Sequence, residues 1–223
     1  MPRGAVLWSW SALLAVALTL PFATVCLADD VQPQPGWKVD SRSGDVAIFY
    51  QDNAQAHARA YQAVGDVDGP PNAVYAVVTD VPAHPRFMPF TTEAAIVQRV
   101  SPLEVIAYEV INPPLISRRD AYFRIVLTPG SSPTTVWKSA WTALPDFQPE
   151  RSGYVRLHIA EGSWLFEPLD GGARTRVTYT SLTNVGGTVP GWMANMSSAS
   201  VMRKMYGAIR KRVKELGPAP ATP

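Results

Sequence analysis

The chain has 223 residues, 47% of them hydrophobic and only 17% charged, with a formal net charge of +2. That is enough for one globular domain with extensions, and it lacks the basic field that a nucleic-acid surface requires, so no nucleic-acid partner is expected. The 21 prolines are scattered between periodic segments, which fits short loops rather than a disordered chain.

At the start, Met1-Pro2-Arg3 precedes residues 4–28, which carry no charge, and Asp29-Asp30 follow. This layout predicts a signal peptide over 1–28 and an exported protein, periplasmic or secreted. A retained N-terminal membrane anchor is the alternative, because the run is long enough to span a bilayer, although Ser9, Ser11 and Pro21 interrupt it. Cys26, the sole cysteine, falls inside this segment, so no disulfide or thiol chemistry is expected after cleavage. Residues 29–36 read as a flexible lead-in and 218–223 as a disordered tail.

The domain proper is expected over 37–217. Trp37-Lys38-Val39 and residues 45–50 predict the first strands, parted by a Ser41-Arg42-Ser43-Gly44 turn, and 57–68 predicts another. Gly69-Pro70-Pro71 stops it. Residues 71–80, PNAVYAVVTD, read as a short helix with proline in its first turn. Residues 81–90, VPAHPRFMPF, read as a loop or broken helix near the mouth of the fold. Short antiparallel strands are expected over 94–100, 104–111, 119–127, 135–143 and 154–159, separated by proline-rich turns. From Gly162 onward come a strand, a turn at Leu169-Asp170-Gly171-Gly172, a second strand, a Gly-Pro loop over 186–191, and one long helix. In that helix Met193, Met196, Val201, Met205, Ile209, Val213 and Leu216 recur at helical spacing. The fold class is therefore α+β, a curved antiparallel sheet with a long C-terminal helix. The two layers either close into a solid core or leave an elongated apolar cavity.

Familiar catalytic words are missing: there is no GxGxxG, Walker loop, HExxH or GxSxG. His57, His84 and His158 lie in three separate elements without metal-ligand spacing, so neither metal, cofactor nor catalytic residue is expected. His158 shares its face with Tyr154 and Arg156, on the solvent side, and His84 reads as a surface loop residue between prolines. Charge on an apolar face is the sharper signal. Arg119 alternates in register with Ala121, Phe123, Ile125 and Leu127, while Arg118, Asp120 and Arg124 point the other way. Glu109 shares a face with Val105, Ala107 and Ile111. A turn over 112–116 would bring Glu109 near Arg119 as an internal ion pair, either anchoring a ligand headgroup or serving structure alone.

Trp137 and Trp141 share a face, as do Trp164 and Phe166; they line a pocket for a flat or long apolar molecule, or they are plain core. Met193, Met196, Met202 and Met205 suit an adaptable wall or ordinary core filling. The basic residues Arg203, Lys204, Arg210, Lys211, Arg212 and Lys214 suit contact with anionic membrane or a solvated face.

In order along the chain, GWKVDSRSGDVAIFY, AYQAVGDVDGPPNAVYAVVTDVPAHPRFMP, NPPLISRRDAYFRI and GSWLFEPLDGGARTRVTYTSLTNVGGTVPGWMANM together resemble the StAR-related lipid-transfer (START) family, within the helix-grip, polyketide-cyclase-like superfamily. The N-terminal stretch makes it an exported, bacterial-type version. The resemblance implies a sheet gripping the last helix around a tunnel for one lipid or sterol-like molecule. It implies that Arg119 matches the arginine of the family's Arg-Asp strand. It also implies that Gly186, Gly187, Pro190 and Trp192 belong to a loop gating entry. The expected function is non-catalytic binding and transfer of a hydrophobic molecule by a monomer in transient contact with membranes. The alternative is a cyclase- or aromatase-like enzyme using Arg119, Glu109 and Tyr108 in the same cavity.

Overall fold

The computed structural model describes residues 31–42, 44–187 and 199–217. The expected signal segment and C-terminal tail lie outside these. The elements are β1 (Lys38–Ser41), β2 (Val46–Asn53), β3 (Ala58–Asp68), helix α1 (Pro71–Thr79), a 3₁₀ turn (Val81–Arg86), β4 (Thr91–Ser101), β5 (Glu104–Ile111), β6 (Arg119–Thr128), β7 (Trp137–Ala143), β8 (Val155–Arg156), β9 (Ile159–Leu169), β10 (Arg174–Asn184) and helix α2 (Ala199–Leu216).

One sheet runs in the order β1-β2-β3-β10-β9-β7-β6-β5-β4. The N-terminal meander and the C-terminal hairpin meet where β3 pairs with β10, which places the first and last thirds of the chain side by side. Against the sequence expectation, residues 154–159 are not one antiparallel strand. Val155 and Arg156 pair parallel to the start of β6, and Ile159 already begins β9. The cause is a buried ion pair. Arg156 donates two hydrogen bonds of 3.0 Å to the Asp120 carboxylate and others to the carbonyls of Pro145, Gln148 and Pro149, so this short strand is pulled onto β6 under the 144–149 loop. Asp120 and Arg156 do lie on the outer face, as alternation predicts, but that loop buries them to about 1% exposure.

Helix α2 buries Met202, Tyr206, Ile209 and Val213, one stripe of a 3.6-residue period. It rests on β3, β2 and α1, which is only one half of the sheet. Leu216, expected on the apolar stripe, faces solvent. Tyr206 is fully buried, and its hydroxyl lies 2.8 Å from the carbonyl oxygens of both Ala63 on β3 and Val177 on β10. The ring comes that close because Gly65 lacks a side chain; a Cβ there would stand 3.0 Å from two ring carbons. Burial pushes the phenol pKa up, outweighing the opposing charge of Arg210, so the hydroxyl stays a donor at any physiological pH.

Equilibrium urea denaturation should show Tyr206→Phe destabilised by about 1–2 kcal/mol through the lost hydroxyl bonds, and Tyr206→Ala by about 3–5 kcal/mol through the cavity left behind.

Candidate functional site

The half of the sheet that α2 does not cover curls over a cavity of about 290 Å³. Its sheet wall comes from β5, β6, β7, β9 and β10: Glu109, Ile111, Arg119, Phe123, Ile125, Ser139, Trp141, Ala160, Trp164, Tyr179 and Ser181. Opposite stand Val78 and Thr79 of α1, His84 of the 3₁₀ turn, Met88-Pro89-Phe90, and Val201, Met202 and Met205 of α2. Pro113 and Ile116 of the β5–β6 loop complete the rim.

The aromatic floor is built by strand register. Tyr179 on β10 lies opposite Trp164 on β9, with ring centroids 4.5 Å apart, and stacks on Trp141 at 5.6 Å. Trp141 lies opposite Gly162, where any Cβ would overlap both its indole and the Thr180 carbonyl. Glycine at that position is what lets the indole lie flat across β9.

Glu109, Arg119, Phe123, Trp141 and Trp164 are thus brought together on one cavity. Trp137 and Phe166 are not. They point to the same side of the sheet but lie under α1, with Tyr75 at 4.9 Å and 5.7 Å between ring centroids, as plain core. Trp192, Met193, Met196 and Pro190 lie outside the described residues. Gly186 and Gly187 both take left-handed backbone angles just beyond β10, φ 59° and 67°. Tyr108 points to the outer face, where its hydroxyl donates to Asp120 at 3.2 Å, so it is not a cavity group.

The expected Glu109–Arg119 ion pair is not formed. In the β5–β6 register Arg119 stands opposite Ile111, while Glu109 stands opposite Ala121, two residues farther along. Glu109 instead contacts His84 Nδ1 at 2.8 Å. His84 is therefore no surface residue; its side chain is 12% exposed. The 3₁₀ turn tucks it inward, where Nε2–H donates to the Val78 carbonyl at 2.9 Å. A carbonyl only accepts, so the second ring nitrogen faces a carboxylate, and an imidazolium satisfies both partners. Burial pushes the imidazole pKa down, but the Glu109 hydrogen bond and charge, the Val78 carbonyl and Asp80 outweigh it, and the net shift is upward.

Arg119 is 4% exposed and, among the described residues, bonds only to backbone oxygens: Nη1 to Ser117, Nε to Val185 at 3.3 Å and Nη2 to Gly186 at 3.4 Å. Burial lowers its pKa, with no charged partner opposing the shift. The site so built is an apolar chamber in which a carboxylate on the sheet pairs with an imidazolium from the 3₁₀ turn opposite, and a guanidinium lies on the same sheet as the carboxylate. Among the described residues no cluster of histidine, cysteine and acidic side chains could hold a metal ion.

The START domain family matches residues 25–218 of the chain. An uncharacterized protein of Pseudomonas aeruginosa is 24% identical over 160 residues, covering 71% of this chain and 77% of that protein. The crystal structure of a STAR-related lipid transfer protein from Xanthomonas axonopodis shares the fold with a TM-score of 0.71 and 21% identity, over 80% of this chain and 99% of that one. Human StAR-related lipid transfer protein 5 does so at 0.75 and 19%, over 83% and 89%.

The raised His84 pKa stabilises the fold fully below the ordinary value of 6.5, and that contribution is lost as pH rises through the folded value. Denaturation midpoints measured against pH should show the gap between wild type and His84→Gln closing as pH rises. NMR should place the His84 midpoint above 6.5 in the wild type and lower than that wild-type midpoint in Glu109→Gln, where the carboxylate's hydrogen bond and charge are lost.

Proposed function

The chain belongs to the START domain family, and from that premise we propose that it binds, and passes between membranes or partners, one lipid or sterol-like molecule held in the cavity between α2 and β5, β6, β7, β9 and β10. The observation that carries this reading is the chamber itself. Phe123, Ile125, Trp141, Trp164, Met202 and Met205 wall it, and polar groups such as Glu109, Arg119, Ser139 and Ser181 are set into that mainly apolar lining. Apolar surface that a ligand buries there contributes roughly 25 cal/mol per Å², while Arg119 and Glu109 orient its polar end. The thioethers of Met202 and Met205 can repack around differently shaped chains. That the structural relatives named above are lipid transfer proteins supports the same reading. The uncharged run over 4–28 supports action outside the cytoplasm, in the periplasm or cell envelope.

One observation favours a second reading, an enzyme acting on an apolar substrate in this chamber. The His84–Glu109 pair is an acid–base couple facing the cavity, with one Glu109 oxygen left to abstract a proton. Carriage is preferred because both His84 nitrogens are already engaged, which leaves the ring no free position to deliver a proton.

Protein recovered from its native cells should yield one apolar compound on organic extraction and mass spectrometry. Ala160→Phe, which fills the chamber from β9, should fold and carry none of it. Wild-type protein that is always empty, or a filled variant that retains the compound, would contradict the proposal.

A further inference from the structure

We propose that the ligand's polar end is an anion, a carboxylate or a phosphate, seated on Arg119. The inference rests on the cavity-binding reading above and names the chemistry of its head.

A guanidinium buried against an apolar chamber needs negative charge nearby. Arg119 is bonded to none among the described residues: its three bonds all go to backbone carbonyls. Glu109, the one carboxylate that lines the chamber, lies two residues out of register and is held by His84 at 2.8 Å. The rest of the chain offers little. Of its 18 acidic residues only Asp29 and Asp30 fall outside the described ones, and residues 188–198, which follow the Arg119-bound backbone at 185–186, contain no Asp or Glu. A guanidinium has five N–H donors, and three are used here, which leaves two. Unused N–H donors on a planar guanidinium match the oxygens of a carboxylate or phosphate, and a neutral hydroxyl satisfies them less well. The Glu109–His84 couple is neutral as an ion pair, so it does not repel such a head. The chamber volume of about 290 Å³ lies at the small end for ligand sites, which suits a single-chain amphiphile.

The test is calorimetric titration of the full chain with decanoate, decyl phosphate, decanol and decylamine, each below its micelle concentration. At least one anion should bind on the order of tenfold or more tighter than the alcohol and the amine, and the order of the two anions separates a fatty-acid head from a phosphate head. In Arg119→Gln the anion should lose most of its advantage over the alcohol, the alcohol weakening far less than the anion, and Arg119→Lys should keep a partial preference. Equal binding of decanol and both anions would overturn the assignment and leave the cavity reading standing, as would a preference that survives Arg119→Gln. If none of the four binds, the cavity reading fails and this one with it. Should Arg119→Gln not fold, the four-ligand comparison on the unmodified chain still decides.

Discussion

Tyr206 fixes where the last helix can sit, and everything inside the protein follows from that. Its hydroxyl is placed between carbonyls of β3 and β10, and its ring lies against the bare backbone of Gly65, so α2 is held against one half of the sheet. Arg210 reinforces the seat by donating to the Asp66 carbonyl at 2.8 Å and pairing with Asp45. A twisted sheet of this width cannot touch one straight helix along its whole face. Over β2, β3 and β10 the two layers close; over β5, β6 and β7 they separate, and the chamber is the gap. Helix α1 then divides the remaining surface, since the aromatic residues under it are core and those beyond it are wall.

The polar interior follows from a second constraint, the offset between β5 and β6. Because Glu109 sits two residues from the position opposite Arg119, each charge satisfies itself elsewhere. Glu109 takes the histidine that the 3₁₀ turn delivers, and this couples the roof of the chamber to its wall. Arg119 takes the backbone at the end of β10. A ligand therefore meets a neutralised acid and an uncompensated base rather than one closed ion pair. That asymmetry is a reason to expect orientation as well as affinity.

Much of this was legible in the sequence, and the failures have physical reasons. Period-two alternation put Arg119, Phe123, Trp141 and Trp164 on the inner face, and the order of strands, turns and the final helix gave the architecture. Alternation names a face but not a position along the strand. Trp137 and Trp141 therefore looked equivalent, though four residues of strand separate the floor of α1 from the chamber. The same holds for Phe166 and Trp164. The β5–β6 register depended on where a proline-rich loop turns, and an offset of two residues, which leaves every side chain on its expected face, was enough to dissolve the Glu109–Arg119 pair. His84 was missed because its role is set by a contact 25 residues away and by a 3₁₀ turn flanked by prolines, where helical or strand periodicity carries no signal. A histidine set among apolar residues just after a short helix was the only available hint. The break before β9 escaped for a similar reason, since the Asp120–Arg156 pair that causes it joins residues 36 apart.

The most direct measurement is a crystal structure of the protein purified with whatever it carries from its own cells. That structure should show continuous density for one apolar molecule along Trp141, Trp164 and Met202, its polar end against Arg119, and Glu109 still bound to His84. A chamber collapsed onto α2, or an empty one in which Glu109 has swung onto Arg119 and closed the ion pair, would contradict it.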